Sequence, residues 1–84
     1  MSVASSYAVS VEDRFADEYA QCFDNFVRHI KGQGFPVNER VMEAAHDKAT
    51  KRAIELANSR GHRSVNFAPM TKAGLAKAMA KYGY

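Results

Sequence analysis

The stretch Ser59-Arg60-Gly61-His62-Arg63-Ser64 places two guanidinium groups and an imidazole around one glycine. Cations and a hydroxyl carried on a turn suit an anion, and phosphate oxygens are common acceptors for such groups. Lys48, Lys51 and Arg52 precede this stretch, and Lys72, Lys77 and Lys81 follow it. Folded side by side, these ten positions (Ser64 included) would form a patch for a nucleic-acid backbone, with salt-dependent and sequence-tolerant affinity. Each residue also has an ordinary role available. Arg60 complements the dipole at the end of a helix, and lysines sit in solvent. His62 is the odd member, since histidine is the side chain suited to a pH-dependent contact.

Two other spacings bear on chemistry. Glu43-Ala-Ala-His46 has the i,i+3 spacing of bundle di-iron sites. Such a site needs a second copy of the motif and further carboxylates, with Asp17, Glu18 and Asp24 as the candidates. Cys22 and His29 lie seven apart on one helical face. A nucleophile and base would also want an orienting group and a pocket, whereas a cysteine on an aromatic face serves as a small core residue. No glycine-rich phosphate loop, paired-cysteine zinc spacing or Ser-His-Asp arrangement occurs. No catalytic residue, metal or cofactor is therefore expected.

The charge is unevenly distributed. Residues 1–47 carry four Lys/Arg against eight Asp/Glu, a net of −4. Residues 48–84 carry eight Lys/Arg against one acid, Glu55, a net of +7. This asymmetry has two readings: an anionic partner for the second half, or attraction between the halves within a chain or across a dimer. With 84 residues the sequence makes one small domain, which buries only roughly 60–65% of its unfolded surface. Association into a homodimer is a common remedy. The one cysteine excludes an internal disulfide framework and fits a reducing compartment. No apolar run approaches the ~20 residues of a membrane helix, and the opening MSVASSYAVS lacks the basic-then-apolar pattern of a signal peptide. The expected setting is the cytoplasm, at the nucleoid if the protein binds DNA.

The elements that position these residues follow from periodicity. Residues 1–9 read as a flexible arm, followed by one helical domain over 10–84. Ser10 and Asp13 form a capping box, and Glu12, Asp13 and Asp17 suit the first turns of a helix. Phe15, Tyr19, Phe23, Phe26 and Ile30 recur at spacings of four and three, broadened by Cys22 and Val27. Gly32 and Gly34 stop this helix, and Pro36 keeps Phe35 non-helical. Asn38 caps a second helix that reaches about Ser59. This helix is rich in alanine (Ala44, Ala45, Ala49, Ala53, Ala57), a small-residue seam for the aromatic face of the first. Asp47 and Lys51 are spaced as an i,i+4 ion pair. Ser64–Phe67 has strand character before Pro69, and Thr71 caps a last helix from Lys72 to about Tyr82, weakened by Gly74. The expected architecture is all-α: two long antiparallel helices, a short extended loop and a short C-terminal helix.

Residues 26–84 resemble the histone fold of the small archaeal and bacterial type. FVRHIKGQG looks like the end of the first histone helix, PVNER like the first loop, KRAIELANSRGHRSV like the end of the central helix with the second loop, and GLAKAM like the final helix. The resemblance implies an obligate dimer that binds DNA backbones through paired loops. Arg63 and Ser64 would then contact phosphate, helped by Gln33 and Arg40. The chain departs from that pattern in several ways. His62 stands in place of the family's loop arginine, and no acid follows Glu55 to clamp such an arginine. The first helix is longer and the second shorter than in the family, and the second loop has roughly three extra residues.

Two functions are expected on these grounds. One is a non-enzymatic, dimeric, DNA-associated protein using Lys48, Lys51, Arg52, Arg60, His62, Arg63, Ser64, Lys72, Lys77 and Lys81. The other is a protein-interaction module, an adaptor or small inhibitor of a larger machine, whose basic patch meets an acidic protein surface and whose aromatic face supplies anchors. A dimeric metal site through Glu43 and His46 is a minor third.

Overall fold

A computed structural model describes residues 10–84. The expected arm, 1–9, lies outside the described residues. Three helices follow one another: α1 (Val11–Gly32), α2 (Glu39–Ser59) and α3 (Ala68–Lys81), with no strand among the described residues.

Each start has a chemical cause. Ser10 Oγ accepts from the backbone N–H of Asp13 at 3.0 Å, and Asn38 Oδ1 accepts from that of Val41 at 3.0 Å. Both satisfy amides that have no partner inside the helix. The turn after α1 runs through Gly34, and that after α2 through Gly61. At φ +85° and +91° these are left-handed positions that a side chain would strain.

The third helix corrects the sequence expectation. It begins at Ala68 rather than Lys72, because Pro69 falls in the first turn, where its missing N–H has no helical partner to lose. Phe67 was expected to be extended, but its backbone is already near the helical region at φ −89°, ψ −2°. The first amide of α3 bonds Asn66 Oδ1 at 3.2 Å. Thr71, expected as the cap, lies inside the helix and donates its hydroxyl to Ala68 O at 3.0 Å.

The core is an aromatic stripe laid on an alanine seam. Phe15, Tyr19, Phe23 and Val27 of α1 are buried against Met42, Ala45, Ala49, Ala53 and Ala57 of α2, with Phe67 beside them. Ala44, grouped with this seam in the sequence, is exposed because it lies about 100° around the helix from Ala45. The expected Asp47–Lys51 pair is not made within 4 Å; the nearest ion pair on this helix joins Arg52 to Glu55 at 3.9 Å.

The third helix has no fully buried residue and rests mainly on α1. Three aromatic or close contacts hold this side of the fold. Phe67 stacks on Phe15 with ring centres 4.6 Å apart, and Tyr82 stacks on Phe23 at 6.0 Å. Gly74 lies flat against the ring of Tyr19, where an added Cβ would come within 2.8 Å of Cε1. Gly74 read as a weakness in the sequence, and the structure gives its reason: the tyrosine ring occupies the volume of a side chain.

That contact predicts opposite outcomes for two glycine-to-alanine changes. Gly74→Ala should cost stability, since overpacking of about 1–3 kcal/mol outweighs the ~1 kcal/mol gain in helix propensity. Gly32→Ala, at the end of α1 with open space around it and no positive φ, should gain roughly 0.4–1 kcal/mol. Urea unfolding of both variants checks the pair. Phe23→Ala, which empties the centre of the stripe, should cost about 3–5 kcal/mol in the same assay.

Candidate functional site

The basic half does not present itself as one free patch. Arg60, at the end of α2, reaches α1 and forms a two-pronged pair with Glu18, Nη2 to Oε1 at 2.6 Å and Nη1 to Oε2 at 3.0 Å. Both side chains are about three-quarters covered. Its Nε is buried with no partner among the described residues. The hydrogen bonds it donates to Glu18 hold the guanidinium still more firmly protonated than usual. A planar fork on a carboxylate is the geometry for which arginine is suited. Arg60 is therefore occupied by the fold's own acid.

Lys81 is engaged in a similar way. Its Nζ lies 2.8 Å from Asp24 Oδ2, while Tyr82 donates its hydroxyl to Asp24 Oδ1 at 2.6 Å. Burial alone would raise the Asp24 carboxyl. The bonds from Lys81 and Tyr82, with the charges of Lys81 and Arg28, outweigh it and bring the group below its ordinary value. Tyr82 is pushed up to about 12 by burial and by its bond to the Asp24 carboxylate. Lys77 lies in the same groove between α1 and α3 as Glu12, Asp13 and Asp17.

The remaining candidates face outward. Lys48, Lys51, Arg52, Arg63, Ser64 and Lys72 are exposed, and His62 is half-buried. Lys48 sits over the ring of Phe26 at 5.8 Å, an attraction worth about 0.5–1 kcal/mol at an exposed site. Arg63 borders a shallow cleft with Ile54, Val65 and Phe67, away from the groove holding Lys77 and Lys81. The structure thus pairs Arg60 and Lys81 with acids of α1 and leaves Lys77 exposed in the groove beside α1, without an ion pair among the described residues, apart from the outward cations of α2 and the following loop.

The other chemical candidates also have assignments. His46 Nδ1 lies 2.7 Å from the hydroxyl of Tyr19 and 3.5 Å from Thr50 Oγ1. The tyrosine donates when the imidazole proton is on Nε2. Burial pushes the Tyr19 hydroxyl up to about 12. Glu43 and His46 line one cleft with Leu75 and Met79, but no group of three His, Cys, Asp or Glu side chains converges on a metal position among the described residues. Cys22 packs against the core, while His29 is exposed, and no hydrogen bond joins them. No described helix is long and apolar enough to cross a membrane.

Sequence reasoning missed one surface. Phe35 is 60% exposed and Tyr84 46%, the two large apolar side chains most open to solvent among the described residues. They border a cleft of about 470 Å³ with Lys31, Pro36, Val37 and Tyr82. Tyr84 is held there by donating its hydroxyl to Val37 O at 2.9 Å. The one signal in the sequence was that Phe35 fits no helical period and precedes a proline. The chain matches no protein-family model, and no curated protein or solved structure matches it significantly.

The titrating groups give a pH prediction. Tyr19 and Tyr82 titrate near 12 in the fold against 10.0 otherwise. Their contribution is complete below pH 10 and is lost as pH rises through about 12. Asp24 acts in the opposite direction: its contribution is present above the ordinary carboxylate range and is lost as pH falls through its lowered folded value. Urea midpoints measured across pH should therefore fall at both extremes. Tyr82→Phe should flatten part of the alkaline loss and reduce the acid loss.

Proposed function

We propose that this chain is a non-enzymatic protein-interaction module, an adaptor or small inhibitor, rather than chiefly a DNA binder. The observation that carries the proposal is the Phe35–Tyr84 cleft. Two open aromatic rings match the residue types that anchor protein interfaces. The Arg60–Glu18 pair supports it independently, because Arg60, a cation of the loop expected to bind phosphate, already has a carboxylate partner. In this proposal the two long helices run antiparallel, consistent with Arg60 meeting Glu18 and Lys48 meeting Phe26.

A DNA-associated role is the second reading, favoured by one observation. Lys48, Lys51, Arg63 and Lys72 are exposed and have no acid within 4 Å among the described residues. The histone-fold resemblance and the use of Arg63 and Ser64 belong to this reading.

The two are separated by paired measurements. Cross-linking in a lysate of the source cells should capture a protein with the wild type and lose it with Phe35→Ala/Tyr84→Ala, while anisotropy titration of labelled duplex DNA shows no tight binding. If DNA binding instead falls log-linearly with salt by several phosphate contacts, and is lost in Lys48→Glu/Lys51→Glu/Arg63→Glu, the second reading replaces the first.

A further inference from the structure

The groove between α1 and α3 has a volume of about 590 Å³, and neither reading above uses it. Its lining runs from Glu12 to Asp24 on α1 and from Met70 to Lys81 on α3. At 1.5 Å per residue that is about 18 Å, or roughly three helical turns. The floor is apolar and shallow: Ala16 and Ala20 face Ala73, Gly74 and Ala78, with the core rings beneath. Small side chains of this kind let another backbone approach closely.

The rim is charged asymmetrically. On the α1 wall, Glu12, Asp13 and Asp17 have no cation within 4 Å among the described residues, whereas Asp24 is held by Lys81 and Tyr82. On the α3 wall Lys77 is, among the described residues, the remaining cation without an ion pair. The open charge of the groove is therefore three carboxylates against one ammonium, concentrated along α1.

We infer that this groove docks a cationic amphipathic helix of a partner protein, its small apolar stripe on the alanine–glycine floor and its Lys/Arg flank along α1. The inference rests on the interaction-module reading and names the partner's chemistry. Charge complementarity selects the cationic flank. Backbone chemistry selects a helix over an extended segment. Both walls are helices whose amides and carbonyls bond internally, so an extended strand would find no backbone partners over the apolar floor. A helix brings its backbone already satisfied. A second copy of this chain is the poorer occupant, because its net-cationic helix is α3, and the Ala73, Gly74 and Ala78 side of that helix already forms a wall of the groove in its own chain.

The test uses three labelled synthetic peptides of about 18 residues against the full chain, read by fluorescence anisotropy. The first is a helix with an Ala/Leu stripe flanked by Lys/Arg, the second carries Glu at the same flank, and the third scrambles the first. The cationic helix should bind, and the other two should bind at least about tenfold more weakly. Asp13→Lys/Asp17→Lys should weaken the cationic helix by about tenfold, and Ala20→Trp, at an exposed floor position, should abolish binding. Circular dichroism melts of both variants show that they still fold. Equal binding of the scrambled peptide, or no binding of the cationic helix, overturns the inference. So does a wild-type dimer in sedimentation that Ala20→Trp dissociates, since a second copy would then fill the groove. The Phe35→Ala/Tyr84→Ala capture reads a cleft that shares no lining residue with this groove, so failure of one proposal is distinguishable from failure of the other.

Discussion

Everything in this fold depends on four alanines. Ala45, Ala49, Ala53 and Ala57 present no side chain beyond a methyl, so α2 can come close enough for Phe15, Tyr19, Phe23 and Val27 to cover it. The bulk of the core is thus supplied almost wholly from one side, with Met42 and Phe67 filling in. A seam of larger residues on α2 would push the aromatic stripe outward and overfill the same volume. The third helix then has little core left to share. It is held at the edge by stacking and by one close contact, Gly74 on Tyr19.

The same closeness brings the two charge halves together. Glu18 sits one residue from the buried Tyr19, and Arg60 lies just beyond the alanine seam, so packing the seam delivers one to the other. Asp24 is likewise one residue from Phe23 and meets Lys81 and Tyr82 as the third helix settles on that ring. The net −4 and +7 of the two halves are therefore partly an internal attraction rather than wholly a display for a partner. That alternative was open in the sequence, and side-chain geometry favours it for Arg60 and Lys81.

The long helices were legible because their signals are local and redundant. The spacing by four and three from Phe15 to Ile30, the caps Ser10 and Asn38, and the glycine exits agree with one another. The last helix was misjudged at its start because Pro69 has two meanings, a strand boundary or a first-turn residue, and sequence alone does not choose. Gly74 was misjudged because its reason lies 55 residues away, in the ring of Tyr19. The Glu18–Arg60 and Asp24–Lys81 pairs were illegible for the same cause: they join residues 42 and 57 positions apart. A list of cations in sequence order shows where charge is, not which charge is already answered.

The account turns on whether Arg60 is a structural cation held by Glu18. A double-mutant cycle on urea stability measures it most directly, using Glu18→Gln, Arg60→Gln and the pair. The account predicts that each single change destabilises the fold and that the double change costs clearly less than their sum. Additive losses, or single changes that leave stability untouched, would contradict it and return Arg60 to the list of residues free to bind an anion.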